Sequence, residues 1–278
     1  LWPEDGITKA DLIDYFLQVA PLMLPHLEGR PLVITRYPDG IYGKWFYQKN
    51  RPPHTPEWVK TFLHRSQDGK RVEYVMAEGP ATLVWLANLA AVEIHPWLSR
   101  VDVPERPDLL VFDLDPAEPA GYQECVRVAR LLRRLLEELG LESYPKTSGA
   151  TGLHIYVPVI PERSYEDVRA FVEAVGYILR EALPDVVTLE RRVAARRGKV
   201  YVDYLQNAQG KTLVAPYCPR PRPGAPVSAP LTWEEVFTSH PSAFTLRTMP
   251  ARLRRRGDPF AGAARRGQAL PEKVGSLL

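Results

Sequence analysis

The stretch DLLVFDLDP, residues 108–116, decides how this sequence is read. An apolar run there ends in two aspartates and a proline. In an extended chain, residues two apart point the same way. Leu110, Phe112 and Leu114 then share one face, and Asp113 and Asp115 the other. Pro116 has no amide to give to a ladder and marks the end of the strand. Two neighbouring carboxylates repel, so such a pair persists where a divalent cation binds between them. A solvated strand end explains the pair equally well, because Asp before Pro is ordinary turn chemistry.

A third aspartate tips that balance. Asp203, in GKVYVDYLQN (198–207), lies between Val202 and Tyr204 in a strongly β-forming run that reads as a strand. A buried acid is costly unless it is paired or binds metal. Three converging aspartates would make a site for two Mg²⁺ or Mn²⁺ ions handling a triphosphate. A turn in KTSGATGLHIYV (146–157) adds the other half of that chemistry. Ser148, Gly149 and Gly152 make a tight turn whose backbone N–H groups can approach an anion, with Lys146 before them and His154 after; a bare glycine turn is more often just a hairpin, and it is the company of Lys, Ser and His that favours the anion. The turn leads into a strand, so it is not a Walker loop.

Organisation outward from these motifs is a mixture of helices and hairpins. Residues 8–27 have helical spacing with Thr8 as N-cap, and RPLVITRYP and KWFYQKN flank the turn PDGIYG as a hairpin. Residues 122–140 form the clearest amphipathic helix, and 164–183 a second one capped by Ser164. A short helix is expected at TWEEVF (232–237), and the prolines of 216–230 forbid regular structure. There is no regular βαβ alternation, so the expected class is α+β, with a largely antiparallel or mixed sheet. The expected division is a catalytic domain over 1–245 and a basic tail or linker over 246–278.

Composition narrows the function classes. The 278 residues are 45% apolar, enough for a full core, and the net charge of +3 names no partner. Basic residues cluster at 191–199, 219–222 and 251–258, the kind of grouping that attracts phosphates; the last cluster reads better as a solvated face or loose tail. Cys125 and Cys218 stand alone, which argues against a disulfide framework or a zinc site. No apolar stretch nears the roughly 20 residues of a membrane span, and residues 1–12 lack the order of a secretion signal. The expected location is the cytoplasm, at the nucleoid. In KWFYQKN, Phe46 and Tyr47 beside Lys49 suit stacking on nucleobases, although aromatic runs in strands are usually core. His95, in VEIHPW, reads by itself as a core histidine.

Taken in order, GITKADLIDYF, FYQKN, VEIHPW, VFDLDP, KTSGATGLHIYVP and GKVYVDYLQN resemble the polymerase domain of bacterial DNA ligase D, a primase-like enzyme of non-homologous end joining. The motifs span residue 5 to about 235. The resemblance implies a primase-polymerase-like fold whose central catalytic sheet is flanked by helices. It makes Asp113, Asp115 and Asp203 the metal-binding catalytic triad for two ions, Mn²⁺ or Mg²⁺. It gives Ser148, His154, His95 and Arg196 to the nucleotide, with Lys146, Gly149 and Gly152 shaping the turn. Lys9 would recognise a 5′-phosphate, and Phe46 or Tyr47 would stack on the template.

The implied activity is template-directed addition of nucleotides, ribonucleotides preferred, to DNA 3′ ends at gaps and breaks, with primase or terminal-transferase activity alongside. The implied partners are 5′-phosphorylated DNA, NTPs or dNTPs, Ku and a DNA ligase. One rival is a DNA-end or Ku-binding module that does not synthesise. The other is an aspartate-nucleophile phosphatase, which requires a Thr soon after DLD and a parallel sheet; DLDPAEP has no Thr.

Overall fold

The computed structural model describes residues 1–65, 69–265 and 267–271. In chain order its first elements are helix α1 (Lys9–Met23), strands β1 (Leu32–Arg36), β2 (Phe46–Gln48), β3 (Thr61–Arg65) and β4 (Arg71–Val75), helix α2 (Pro80–Asn88) and strand β5 (Ala91–Pro96). Then come β6 (Leu109–Pro116), α3 (Tyr122–Glu138), β7 (Tyr144–Thr147), β8 (Leu153–Pro158), α4 (Tyr165–Ala182), β9 (Val187–Thr188), β10 (Val200–Val202), α5 (Trp233–Thr238) and α6 (Met249–Arg256). They divide into two compact units, each assembled from three chain segments.

The first unit comprises residues 1–102, 212–229 and 242–258. Helix α1 starts where the sequence places it: the Asp11 amide donates to Thr8 Oγ1, and the Thr8 amide donates to Asp11 Oδ2 at 2.7 Å. Such a reciprocal cap satisfies amides that a helix start leaves open. The helix buries Leu12, Phe16 and Val19. The sheet runs β2-β1-β4-β3 with β5 also on β1, all antiparallel, which confirms the hairpin expected between 30 and 50. The proline-rich return segment is irregular, and it docks by single contacts such as the Ala215 amide on the Ile94 carbonyl. The basic run at 251–258, read as a solvated face or loose tail, is mostly the helix α6; it buries Met249, Arg252 and Leu253 while Arg254, Arg255 and Arg256 stay exposed. Residues 266 and 272–278 of the expected tail lie outside the described residues.

The second unit comprises 103–211, 230–241 and 259 onward. Its sheet runs β7-β8-β6-β10-β9 with β6 central and antiparallel to both neighbours; only β9 and β10 are parallel. A phosphatase-type parallel sheet is therefore absent among the described residues. Helices α3 and α4 pack on β6, and each has a fully buried stripe, Cys125, Val128 and Leu132 on α3 and Val168, Val172 and Val175 on α4. Their apolar residues recur three and four apart, the stripe a sheet-covering helix needs. Gly140, at φ +72°, ends α3 in the left-handed region that glycine reaches without strain. The edge strand β7 is covered late in the chain: the Leu231 amide donates to the Pro145 carbonyl, and the Phe260 ring meets Tyr144 and Tyr156 edge-on. These findings match the α+β class with antiparallel and mixed sheets.

Candidate active site

The second unit brings together nine of the expected residues: Asp113, Asp115, Asp203, Lys146, Ser148, Gly149, Gly152, His154 and Arg196. Asp113 and Asp115 project from the end of β6, as the period of two requires. Asp203 differs from the expectation. Strand β10 stops at Val202, and Asp203 caps the 3₁₀ turn that follows, its Oδ1 accepting from the Leu205 amide at 3.1 Å. Its own amide donates to the Asp113 carbonyl at 2.9 Å, so the two residues are neighbours across the ladder. Asp115 stands opposite Tyr201, whose hydroxyl donates to Asp203 Oδ1 at 3.1 Å.

The surroundings of Asp115 act on its charge. Desolvation pushes the Asp115 carboxyl up, Arg196 pulls it down, and the like charge of Asp203 adds to the rise. Arg196 Nη1 lies 3.8 Å from Asp115 Oδ2, its Nε donates to the Glu190 carbonyl at 2.8 Å, and its guanidinium lies 3.6 Å from the Tyr201 ring centroid. Burial, followed by the Asp203 charge, pushes the Tyr201 hydroxyl well above its usual range, which keeps it a donor. Among the described residues no three His, Cys, Asp or Glu side chains form a ready-made cage. As a donor set, though, three carboxylates suit a hard divalent cation, which relieves their mutual repulsion.

Strand β8 supplies the histidine. His154 pairs with Asp113 across β6 and with Lys146 across β7. Its Nε2 is 3.4 Å from Asp113 Oδ1, and Lys146 Nζ is 2.8 Å from its Nδ1. Its Nδ1 thus meets Lys146 and its Nε2 faces Asp113. Lys146 is 0% exposed, which puts it behind His154 and not at the front of the turn. In the turn itself, Ser148 Oγ accepts from the Ala150 and Gly152 amides, and Gly149 has φ +72°. Gly152 packs so closely that a Cβ there would lie 2.3 Å from the Leu114 carbonyl oxygen, between the two aspartates.

Two contributors were missed in the sequence. Tyr201 reads as a strand aromatic, yet it touches both Asp203 and Arg196. Asn207, 0% exposed, pairs with the backbone of β6 like a further strand residue: its Oδ1 accepts from the Val111 amide at 2.9 Å, and its Nδ2 donates to the Val111 carbonyl at 2.8 Å. An amide side chain directly after a β run was the available signal.

The remaining expected residues belong to the first unit. His95 is on β5 opposite Val33, its Nε2 3.4 Å from Thr35 Oγ1 and 3.6 Å from Glu93 Oε2. Burial pushes the Glu93 carboxyl up, but the hydrogen bond and charge of His95 and then Arg220, whose Nε donates at 2.7 Å, hold it down at about 2. Phe46 and Tyr47 on β2 are each 51% exposed, so this aromatic run is not core. Lys49 beyond β2 and Lys9 at the start of α1 are also exposed.

Comparison with known proteins gives one answer. The family described as the LigD primase-polymerase domain matches residues 8–260. The bifunctional non-homologous end joining protein LigD of Bacillus subtilis is 38% identical over 273 residues, 98% of this chain and 44% of that protein. The multifunctional LigD of Mycolicibacterium smegmatis is 36% identical over 240 residues, 85% of this chain and 31% of its own length. The chain thus spans less than half the length of these curated relatives. The solved polymerase domain of Mycobacterium tuberculosis ligase D, in complex with DNA, is similar with a TM-score of 0.88 at 32% identity over 96% of each chain. The chain belongs to the LigD primase-polymerase domain family.

Proposed function

We propose that this chain is a DNA-repair nucleotidyltransferase that copies a template to extend DNA 3′ ends at gaps and double-strand breaks in non-homologous end joining, with ribonucleotides preferred. The observation that carries the proposal is the Asp203 amide on the Asp113 carbonyl, which sets the third acid beside the β6 pair. Asp113, Asp115 and Asp203 would hold Mn²⁺ or Mg²⁺, two ions in the full reaction, whose charge makes the primer hydroxyl more acidic and offsets negative charge on the phosphates. His154 and the guanidinium of Arg196 would contact phosphate oxygens, and hydrogen bonds from a charged donor favour an anion. Lys146 acts behind His154 by fixing its ring, and the Ser148–Gly152 turn holds the backbone against β6.

The first unit supports the DNA side of this reading. Phe46 and Tyr47 present half-exposed rings for stacking on template bases, next to the base Lys49. Lys9 stands at a helix N-terminus, where backbone dipoles and a lysine favour a 5′-phosphate. His95 is assigned to the nucleotide by the family resemblance alone. The substrates are NTPs or dNTPs, and Ku and a DNA ligase, as separate proteins or as further domains of one chain, are the expected partners. Primase and terminal-transferase activities belong to the same proposal. No helix among the described residues is long and apolar enough to cross a membrane.

The test is extension of a 5′-phosphorylated gapped duplex with Mn²⁺ and either NTPs or dNTPs, with Asp113→Ala in parallel. Extension by the wild type, faster with NTPs and lost in the variant, is expected. No extension under any condition sinks the polymerase reading and leaves a DNA-end-binding module. Equal extension by Asp113→Ala removes the metal assignment. Lys9→Ala should weaken binding to the 5′-phosphorylated gap more than to the unphosphorylated one; an equal loss removes Lys9 from that role.

A further inference from the structure

Tyr201 touches two members of the proposed site at once. It is 1% exposed at the centre of β10, where it pairs with Asp115. Its hydroxyl donates to Asp203 Oδ1 at 3.1 Å, while its ring face lies 3.6 Å from the guanidinium of Arg196. The other hold on Asp203 Oδ1 is the Leu205 amide, also at 3.1 Å. Arg196 is further tied by Nε to the Glu190 carbonyl.

We propose that Tyr201 is a positioning residue that orients the third carboxylate through its hydroxyl and the phosphate-facing arginine through its ring. The inference rests on the reading of Asp203 as a metal ligand and Arg196 as a phosphate contact. A carboxylate turns in a broad, two-fold torsional well, and the hydroxyl shares with the Leu205 amide the hold on one of its oxygens. Groups that hold a metal ligand from behind typically change metal affinity about 10- to 100-fold when removed. The ring supplies a flat, electron-rich face against which a guanidinium stacks. Without that face the guanidinium keeps its bonds to the Glu190 and Arg191 carbonyls but loses the surface that sets its plane, and the order it must regain on binding phosphate weakens binding up to about tenfold.

The two contacts separate experimentally. Tyr201→Phe keeps the ring and removes the hydroxyl; Tyr201→Leu removes both. Mn²⁺ binding is followed without turnover by loss of the free-ion electron paramagnetic resonance signal, and ATP binding by calorimetry at saturating Mn²⁺. Tyr201→Phe should bind Mn²⁺ about tenfold more weakly and leave ATP affinity at saturating metal unchanged. Tyr201→Leu should show the same metal defect and also bind ATP about tenfold more weakly. A residue that merely fills the core would give wild-type Mn²⁺ binding in Tyr201→Phe. That result, with Asp203→Asn weakened, overturns the hydroxyl half of the proposal. Wild-type ATP affinity in Tyr201→Leu overturns the ring half. Wild-type Mn²⁺ binding in Asp203→Asn itself shows instead that the reading of Asp203 has failed, and the hydroxyl half falls with it. Tyr201→Met replaces the leucine variant if that protein loses its cooperative melt.

Discussion

Replacing Gly152 with alanine should disable catalysis far more than it unfolds the protein. The added Cβ would sit 2.3 Å from the carbonyl oxygen of Leu114, where ordinary contact begins near 3.4 Å, so backbone must yield by about 1 Å. Both sides resist. The Gly152 amide is bonded to Ser148 Oγ and its carbonyl to the Ser148 amide, while Leu114 is locked in register with Val202 and Leu153. Such overpacking costs about 1–3 kcal/mol, a drop in Tm of roughly 5 °C for a protein of this size. Because Leu114 sits between Asp113 and Asp115, the same movement displaces the carboxylates, and a 1 Å error in a reacting constellation costs about 10²-fold in rate. Gly140→Ala is the control: at φ +72° it strains the backbone by about 1 kcal/mol, yet nothing lies within 4 Å of its new Cβ. The assay is single-turnover extension of a gapped duplex, with thermal melts of both variants. Wild-type extension by Gly152→Ala would refute the claim that this glycine sets the aspartates' spacing. Equal rate losses in both variants would reduce the effect to general instability.

Other consequences can be measured directly. Asn207→Leu leaves the Val111 amide and carbonyl on β6 without their side-chain partners, at about 1–3 kcal/mol each; urea unfolding should report the loss and hydrogen exchange should quicken at the Val111 amide. The Glu93 carboxyl is held at about 2 against an ordinary 4.5. Its folded value is depressed, so it contributes stability that is complete above about pH 4.5 and lost as pH falls toward 2. The contribution is about 3 kcal/mol. Glu93→Gln should flatten the acid limb of the stability profile in that window, and an unchanged limb would contradict the pairing with His95 and Arg220.

Much of the candidate site's placement was legible because strands are simple. A period of two put Asp113 and Asp115 on one face, and the cap, helix and hairpin signals at Thr8, Ser164 and residues 30–50 found their elements. Asp203 lies one residue past the strand in which its sequence places it, for a physical reason: an aspartate just past a β run can cap the next turn with its own side chain, and hydrophobic patterning does not register that competition. Lys146 was visible as a base before a turn. Its place behind His154 depends on the register of β7 and β8, which a sequence does not print. Arg196 emerged only by family resemblance from a run of like charges. Tyr201 and Asn207 were hidden because each matches its surroundings, one as a strand aromatic and the other as the end of a strand.

The alternation of the chain between two units has a consequence for its birth on the ribosome. Residues 103–211 emerge with all five strands of the second sheet, but the cover of its edge strand β7 arrives at Leu231 and Phe260. At roughly 5–20 residues per second, this sheet waits seconds with an open edge while 212–229 goes to the other unit. A nascent chain stalled before residue 230 should therefore expose a strand ready to pair with a stranger. Chaperone capture of such stalled chains should fall once 230–260 has left the tunnel.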